Sequence, residues 1–417
     1  MKKQILTGVE SFEKVIEGDY FYIDKTLFIK ELLENRGENT LITRPSRFGK
    51  TLNMSMLKSF FDITMDSNAL FSGLSIMEHT GIVEKHLNKY PVIFLTLKNV
   101  ELATYTDFME KIRILVSAIY LQNLYICEND GLNKFKKKDF FRYCSKAATE
   151  AELRYALYFL TECLYTYHKK RVIILLDEYD APISNAMAKG YYDKMFEFLI
   201  GFLGSAFKSN DFLEFGVLTG VQRISRESLA SGFSNPLECG IMDNEFSTCF
   251  GLTEDEVKSA CETYELSDKL SEVKTWYDGY KFGRQDMYNL WSIACYLKNK
   301  EFGEYWVNTG SISILQDAFY KGEDFLRNDI EGLLAGSPVM MHLSDGITYP
   351  IRYADSDVFW TLLLNAGYLK PCRTKGKQRS KSSRSGKTSK TDEFGAELVN
   401  KEVKTMFSSY AKKWFFD

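Results

Sequence analysis

Leu41-Ile42-Thr43-Arg44-Pro45-Ser46-Arg47-Phe48-Gly49-Lys50-Thr51 is the stretch on which the reading of this chain turns. An apolar, β-prone run, Thr40 to Thr43, enters a short polar loop. The loop closes on Gly-Lys-Thr, and a helical pattern follows with Leu52, Met56, Leu57 and Phe60 on one face. Strand, loop, Gly-Lys-Thr and helix is the layout of a phosphate-binding loop. The chemistry asks for these residue types. Gly49 lets main-chain N–H groups come close to an anion, and the helix start adds partial positive charge. The expected phosphate ligands are therefore the loop residues Arg47, Phe48, Gly49, Lys50, Thr51 and Leu52. Lys50 brings a full charge to the β- and γ-phosphates, and the Thr51 hydroxyl can complete a magnesium shell. The usual pattern has a glycine five residues before Gly49, where this chain has Arg44. Gly-Lys-Thr alone also fits a basic strand-to-helix turn, so a second element is required.

That element is Arg171-Val-Ile-Ile-Leu-Leu-Asp177-Glu178-Tyr179-Asp180. Five consecutive apolar residues, three of them β-branched, end in two carboxylates. An unbroken apolar run of this length marks a central parallel strand buried on both faces. Carboxylates at its C-terminal end sit in the crevice where open α/β sheets bind ligands. Asp177 would help to hold magnesium, commonly through water, and Glu178 would polarise a water for attack on the γ-phosphate. Taken alone, this element also reads as a buried strand with a charged turn. The two elements in this order support nucleotide binding.

With 417 residues the chain exceeds one core, and its 45% hydrophobic and 26% charged content is that of a globular protein. A net charge of −3 gives no global signal for nucleic acid or membrane. The eight cysteines contain no Cys-x-x-Cys, and the four histidines form no metal motif. Neither a signal peptide nor a bilayer-long apolar run is recognisable, so a reducing, cytoplasmic location is expected.

Along the chain, Tyr20 to Ile23 reads as a short strand, followed by a helix to about Asn35 with Leu27, Phe28, Leu32 and Leu33 inward. Asp24 has two readings: a cap for the amides of Thr26 or Leu27, or a contact to a nucleotide base. Tyr90 to Leu97 is a second apolar strand, Phe108–Leu124 and Thr149–His168 are helical, and the lysine-rich 133–138 is an exposed face or loop. Residues 190–207 form a strongly apolar crossover helix. Phe212 to Arg223 is the next strand, of the kind that lies between the other two in phosphate-loop ATPases with an added glutamate. Thr219 at its end fits a γ-phosphate sensor, and Arg223 fits either a surface salt bridge or an arginine finger acting in cis or in trans. Thr253-Glu-Asp-Glu256 is a capping box that opens a helical region. Two aromatic–polar clusters, 276–280 and 288–292, read as packed helix ends or as a base-stacking platform. From Lys370 to Lys390 there are nine Lys or Arg and no acid, the composition of a flexible tether able to touch phosphate backbones.

Six segments together resemble the bacterial AAA-ATPase-like family: Tyr22–Thr26, Thr43–Thr51, Leu176–Pro182, Leu218–Ser225, Trp276–Tyr280 and Tyr305–Thr309. The resemblance spans about residues 5–370, and an arginine at the position of Arg44 is a trait of that family. It implies an α/β phosphate-loop NTPase of the ASCE type, a parallel sheet flanked by helices, akin to archaeal-type and STAND-like ATPases. The implied parts are a core at 1–250, a helical lid at 251–300 and a winged-helix-like, α-rich region at 301–369. A basic flexible linker at 370–392 and the start of a PD-(D/E)XK nuclease-like domain at 393–417 would follow. Leu290 departs from the family's usual proline, and no Asp…Glu-x-Lys set follows Asn400-Lys-Glu-Val403, so no nuclease activity is expected of this chain.

The leading expectation is magnesium-dependent ATP binding and slow hydrolysis, with ATP setting the orientation of the lid and winged-helix-like region. Lys50, Glu178, Thr219 and Arg223 would act on the phosphates and water, with Thr51 and Asp177 on the metal. Nucleotide-dependent self-association belongs to that reading. Two others stand beside it: nucleic-acid binding through the basic stretch, marked by salt-dependent affinity, and an ATP-stabilised protein adaptor in defence or signalling.

Overall fold

The computed structural model describes residues 2–100, 102–128, 131–224, 236–306, 324–344, 356–372 and 393–416. Its centre is a sheet of five parallel strands: β1 (Asn39–Thr43), β2 (Val92–Thr96), β3 (Val172–Asp177), β4 (Leu213–Gly220) and β5 (Leu237–Cys239). Their order is β2-β3-β4-β1-β5, so β4 lies between β1 and β3, as its sequence suggested.

β1 and β3 are buried along their whole length. Their side chains divide by parity, because successive residues of a strand face opposite ways. Ile173 and Leu175 join Ile42, Leu57, Phe60 and Phe61 in one core under the Lys50–Phe61 helix. Val172, Ile174 and Leu176 join Leu41 and Leu218 in a second core. That second core is closed by the helices Tyr105–Gln122, Ala156–His168 and Tyr192–Phe207. Two apolar faces explain why neither strand alternates with polar residues. The register aligns Ile42 with Thr219 and Thr96 with Asp177. The ends of β1, β3 and β4 therefore open on one edge of the sheet.

Local readings differ from this structure in three places. Tyr20 to Ile23 is not a strand; it pairs with none of the strands, and its Tyr20 and Phe21 N–H groups bond back to the Val15 and Gln4 carbonyls. The following helix, Leu27–Asn35, turns Ile29 inward and leaves Leu27 exposed. Residues 134–144 are a helix capped by Asn133 with Lys134 and Lys138 exposed, as the exposed-face reading has it, whereas the predicted 149–168 helix is broken into Glu150–Leu153 and Ala156–His168.

After the core, the capping box appears as read: Thr253 Oγ1 accepts from Glu256 N, and Glu256 Oε2 accepts from Thr253 N at 2.8 Å. It starts a small helical layer with its own core, made of the helices Glu254–Thr263, Leu270–Tyr277 and Leu290–Asn299, while the hairpin β6 (Tyr280–Phe282) and β7 (Gln285–Met287) between them buries Tyr280, Phe282 and Met287 in the large core.

The last part contains the helices Asp324–Ala335, Ser356–Ala366 and Lys401–Phe416 and a three-stranded antiparallel sheet. Its strands are β8 (Val339–Met341), β9 (Leu369–Cys372) and β10 (Phe394–Leu398), in the order β8-β10-β9. The C-terminal residues, expected as the start of a separate domain, pair here with strands that precede them. Phe394–Leu398 is the central strand of that sheet, and Val403, Met406 and Phe407 join the large core, so 393–416 completes this part. The basic stretch runs in sequence between β9 and β10, which pair as neighbouring antiparallel strands. Its residues 373–392 lie outside the described residues, as do 307–323 and 345–355 of the winged-helix-like expectation.

Candidate functional site

The sheet edge opens into a cavity of about 720 Å³. That lies within the range of small-molecule sites. Its lining includes the loop before the Lys50–Phe61 helix, together with Glu178 and Asp180. It also includes an apolar group, Ile5, Phe21, Ile23, Leu252, Ile293 and Leu297, which pack in one cluster.

Gly49 starts the helix with φ +86°, a left-handed conformation suited to glycine. Lys50 is almost wholly buried; its Nζ donates to the carbonyls of Arg44 and Pro45, both at 3.2 Å, and lies 3.5 Å from Glu178 Oε1. Glu178 itself has φ +54°, an unusual backbone for a non-glycine residue at a strand end. Such a conformation costs on the order of 1 kcal/mol and aims the carboxylate at Lys50 instead of continuing the strand. Thr51 Oγ1 donates to Asp177 Oδ2 at 2.8 Å, across 126 residues of sequence. The two motifs therefore meet.

Asp177 is fully buried just behind the cavity wall. Burial, then the charge of Glu178, raises its pKa, while bonds from the Thr219 and Thr51 hydroxyls pull the other way. Asp180 is buried as well, and burial with Glu178 nearby lifts it to about 6. Its carboxylate accepts from the amides of Val221 and Gln222, which ties the end of β3 to the residues after β4.

Not every expected residue reaches the cavity. Thr219 donates to Asp177 Oδ1 at 2.6 Å and is wholly buried, so it fixes the carboxylate from behind. Arg223 pairs with Glu238 on β5 and lines a separate small hollow. Asp24 caps Thr26, accepting from its amide and hydroxyl, and also accepts from Ser75 N. Burial acts to raise its pKa, but these bonds outweigh it and leave the carboxyl below its usual range. Phe48 lines the cavity, and its ring packs on Tyr280 and Phe282. Arg47, Thr51 and Leu52 line the wall.

Arg44, in the place of the usual glycine, turns away from the cavity. Its guanidinium donates to the carbonyls of Thr43, Cys239, Glu245 and Phe246 and lies over the Phe282 ring. It is a clamp between β1, β5 and the segment beyond β5.

Several residues in or beside the wall had no expected role at the site. Trp306, Ala366 and Tyr368 bring the C-terminal part to the loop, and Gly367 sits so close to Pro45 that an added Cβ would come within 2.8 Å of its ring. Gln222 Nε2 donates to the Leu362 carbonyl in the Ser356–Ala366 helix. Glu402 is fully buried, accepting from Trp306 N and Ser292 Oγ. The motifs at 276–280, 288–292 and 305–309 held a sequence signal, but their target was not visible in it.

Burial chiefly lifts Glu402 from its ordinary 4.5 to about 7, with the Glu304 charge acting in the same direction. The folded chain therefore holds a proton that the unfolded chain releases. Stability from the protonated carboxyl is present below the ordinary value and is lost as pH rises through about 7. Glu402→Gln is expected to match the parent in thermal melts near about pH 5 and to exceed it near about pH 8, by on the order of 2 kcal/mol. Equal melting of the two proteins at both pH values would refute this.

The model of the predicted AAA-ATPase family matches residues 6–230, more than half of the chain, and the protein belongs to that family. The five-stranded parallel sheet flanked by helices is the α/β phosphate-loop NTPase-like fold that this membership implies. The chain is also 28% identical over 318 residues to an uncharacterized protein encoded in the vnfD 5′ region of Azotobacter chroococcum mcd 1. The match covers 76% of this chain and 56% of that relative's length. Among the described residues, no helix is long and apolar enough to cross a membrane.

Proposed function

We propose that the chain binds ATP with magnesium and hydrolyses it slowly, as a switch between arrangements of its lid and C-terminal part. The observation that carries this is the meeting of the two motifs at a cavity of small-molecule size: Lys50, Thr51 and Glu178 line it, and Asp177 holds Thr51 from just behind the wall. Buried lysine and loop amides suit phosphates; the apolar lining suits a nucleobase.

The residues present also fit magnesium. Thr51 and Asp177 offer only oxygen, and no cluster of three or more His, Cys, Asp or Glu is found among the described residues. A protein that holds magnesium through one carboxylate and one hydroxyl leaves the remaining positions to water and phosphate. When bound, the ion would neutralise charge on the β- and γ-phosphates. Thr219 keeps Asp177 in place for that task. Lys50 attracts the phosphates, and in doing so would leave its contact with Glu178. Glu178 is then the group available to accept a proton from an attacking water. The ties of Gln222 to Leu362 and of Asp180 to Gln222 give the hydrolytic corner a route to the C-terminal part.

Glu178→Gln is expected to keep ATP affinity within about threefold while lowering hydrolysis by about 10²-fold or more. Steady-state phosphate release from parent and variant, with molecular mass measured with and without ATP, provides the check. Hydrolysis unchanged by the substitution would remove Glu178 from the reaction.

A further inference from the structure

Two motifs outside the phosphate loop converge on one of its atoms. Trp306 Nε1 donates to the Ser46 carbonyl at 2.9 Å, and Asn289 Nδ2 donates to the same oxygen at 3.3 Å. Trp306 lies 260 residues from Ser46 in sequence, so this contact is built by the fold. Both donors are themselves held. Asn289 Oδ1 accepts from Ser292 N as the cap of the Leu290–Asn299 helix. Ser292 Oγ and Trp306 N both donate to Glu402, at 2.9 and 2.7 Å, on the Lys401–Phe416 helix.

In a trans peptide the C=O and the following N–H point in opposite directions. Two donors on the Ser46 oxygen therefore turn the Arg47 N–H away from themselves. Arg47 has φ +67°, a backbone that residues with a Cβ seldom adopt. Its guanidinium lies 4.6 Å from the centre of the Trp291 ring, so the lid grips this residue at side chain and main chain.

We infer that Trp306 and Asn289 are positioning residues that set the phosphate loop, with Glu402 anchoring them from the C-terminal helix. The inference rests on the nucleotide reading above. It assigns the 288–292 and 305–309 motifs to the loop and not to base stacking. It also makes phosphate affinity depend on docking of the C-terminal part, since Trp306 and Glu402 belong to its side of the cavity.

The test uses the full chain with Trp306→Phe, which keeps an aromatic ring and removes the donor, and Asn289→Ser, which keeps a helix cap and removes the other. ADP and adenosine affinities are read by displacement of a fluorescent ADP probe, alongside thermal melts. The expected result is a five- to tenfold loss of ADP affinity in each variant, roughly the effect of one hydrogen bond, with adenosine affinity unchanged. A larger loss is expected in the double variant. ADP binding equal to the parent in both variants overturns the inference and leaves the nucleotide reading standing. Equal losses for ADP and adenosine also overturn it, since a general loosening of the cavity would act on both. A folded parent that binds neither ADP nor ATP overturns both readings together.

Discussion

Lys50→Ala is expected to lose ATP and ADP affinity by about 10³-fold, to a level that a fluorescent-nucleotide titration no longer resolves. The size follows from what the amine does. It is nearly excluded from water and sits on the carbonyls of Arg44 and Pro45, so its charge is little screened. A charge-assisted hydrogen bond contributes about 1.5–3 kcal/mol, and a unit charge about 4 Å from phosphate adds up to about 4 kcal/mol in a partly buried setting. Taking about 4 kcal/mol for the two together gives the thousandfold loss. Alanine also leaves Glu178 without its buried counter-charge, so the cavity turns acidic where an anion must enter. The melt of nucleotide-free protein is the control that separates lost binding from lost folding. Parent-like affinity in a folded Lys50→Ala protein would show that the cavity does not hold phosphate through this loop.

The parts legible in the sequence were those encoded by neighbours along the chain. The apolar run before Gly-Lys-Thr, the apolar run before Asp177 and the Thr253–Glu256 box each declare an element within about ten residues. The place of β4 between β1 and β3 was legible through likeness to phosphate-loop ATPases with an added glutamate, where this strand lies between the other two. What stayed hidden depended on partners far away. Thr219 had the right position for a sensor, but only the β3–β4 register shows that its hydroxyl is taken by Asp177. Tyr20 to Ile23 had strand composition and no neighbouring strand to pair with. Phe394–Leu398 looked like the opening of a new domain because β8 and β9, its two partners, begin 55 and 25 residues earlier. Arg223 is explained by Glu238, a residue with no sequence signal of its own.

Arg44 poses the same lesson with a larger energy. Restoring the usual glycine, Arg44→Gly, is expected to destabilise the protein by about 3–5 kcal/mol, although it makes the loop look more conventional. Four main-chain carbonyls, from β1, β5 and residues 245–246, share this one buried guanidinium. Burial lowers its pKa to about 10, so it stays charged at neutral pH and its desolvation works against folding. The bonds and the packing on Phe282 and Phe250 offset that cost. Removing the side chain leaves the carbonyls without a donor and a void between the rings, and both penalties fall on groups that cannot reach water. For a unit of this size the loss corresponds to a fall in melting temperature of roughly 10 °C. Arg44→Lys separates charge from geometry. An ammonium keeps the charge but lacks the planar fork that reaches carbonyls on two sides, so it should recover no more than about half of the loss. If Arg44→Lys melts with the parent, a point charge is sufficient there and the clamp is not made by the fork. If Arg44→Gly melts with the parent, the arginine is dispensable to the fold, and its place in the loop would need a role at the nucleotide after all.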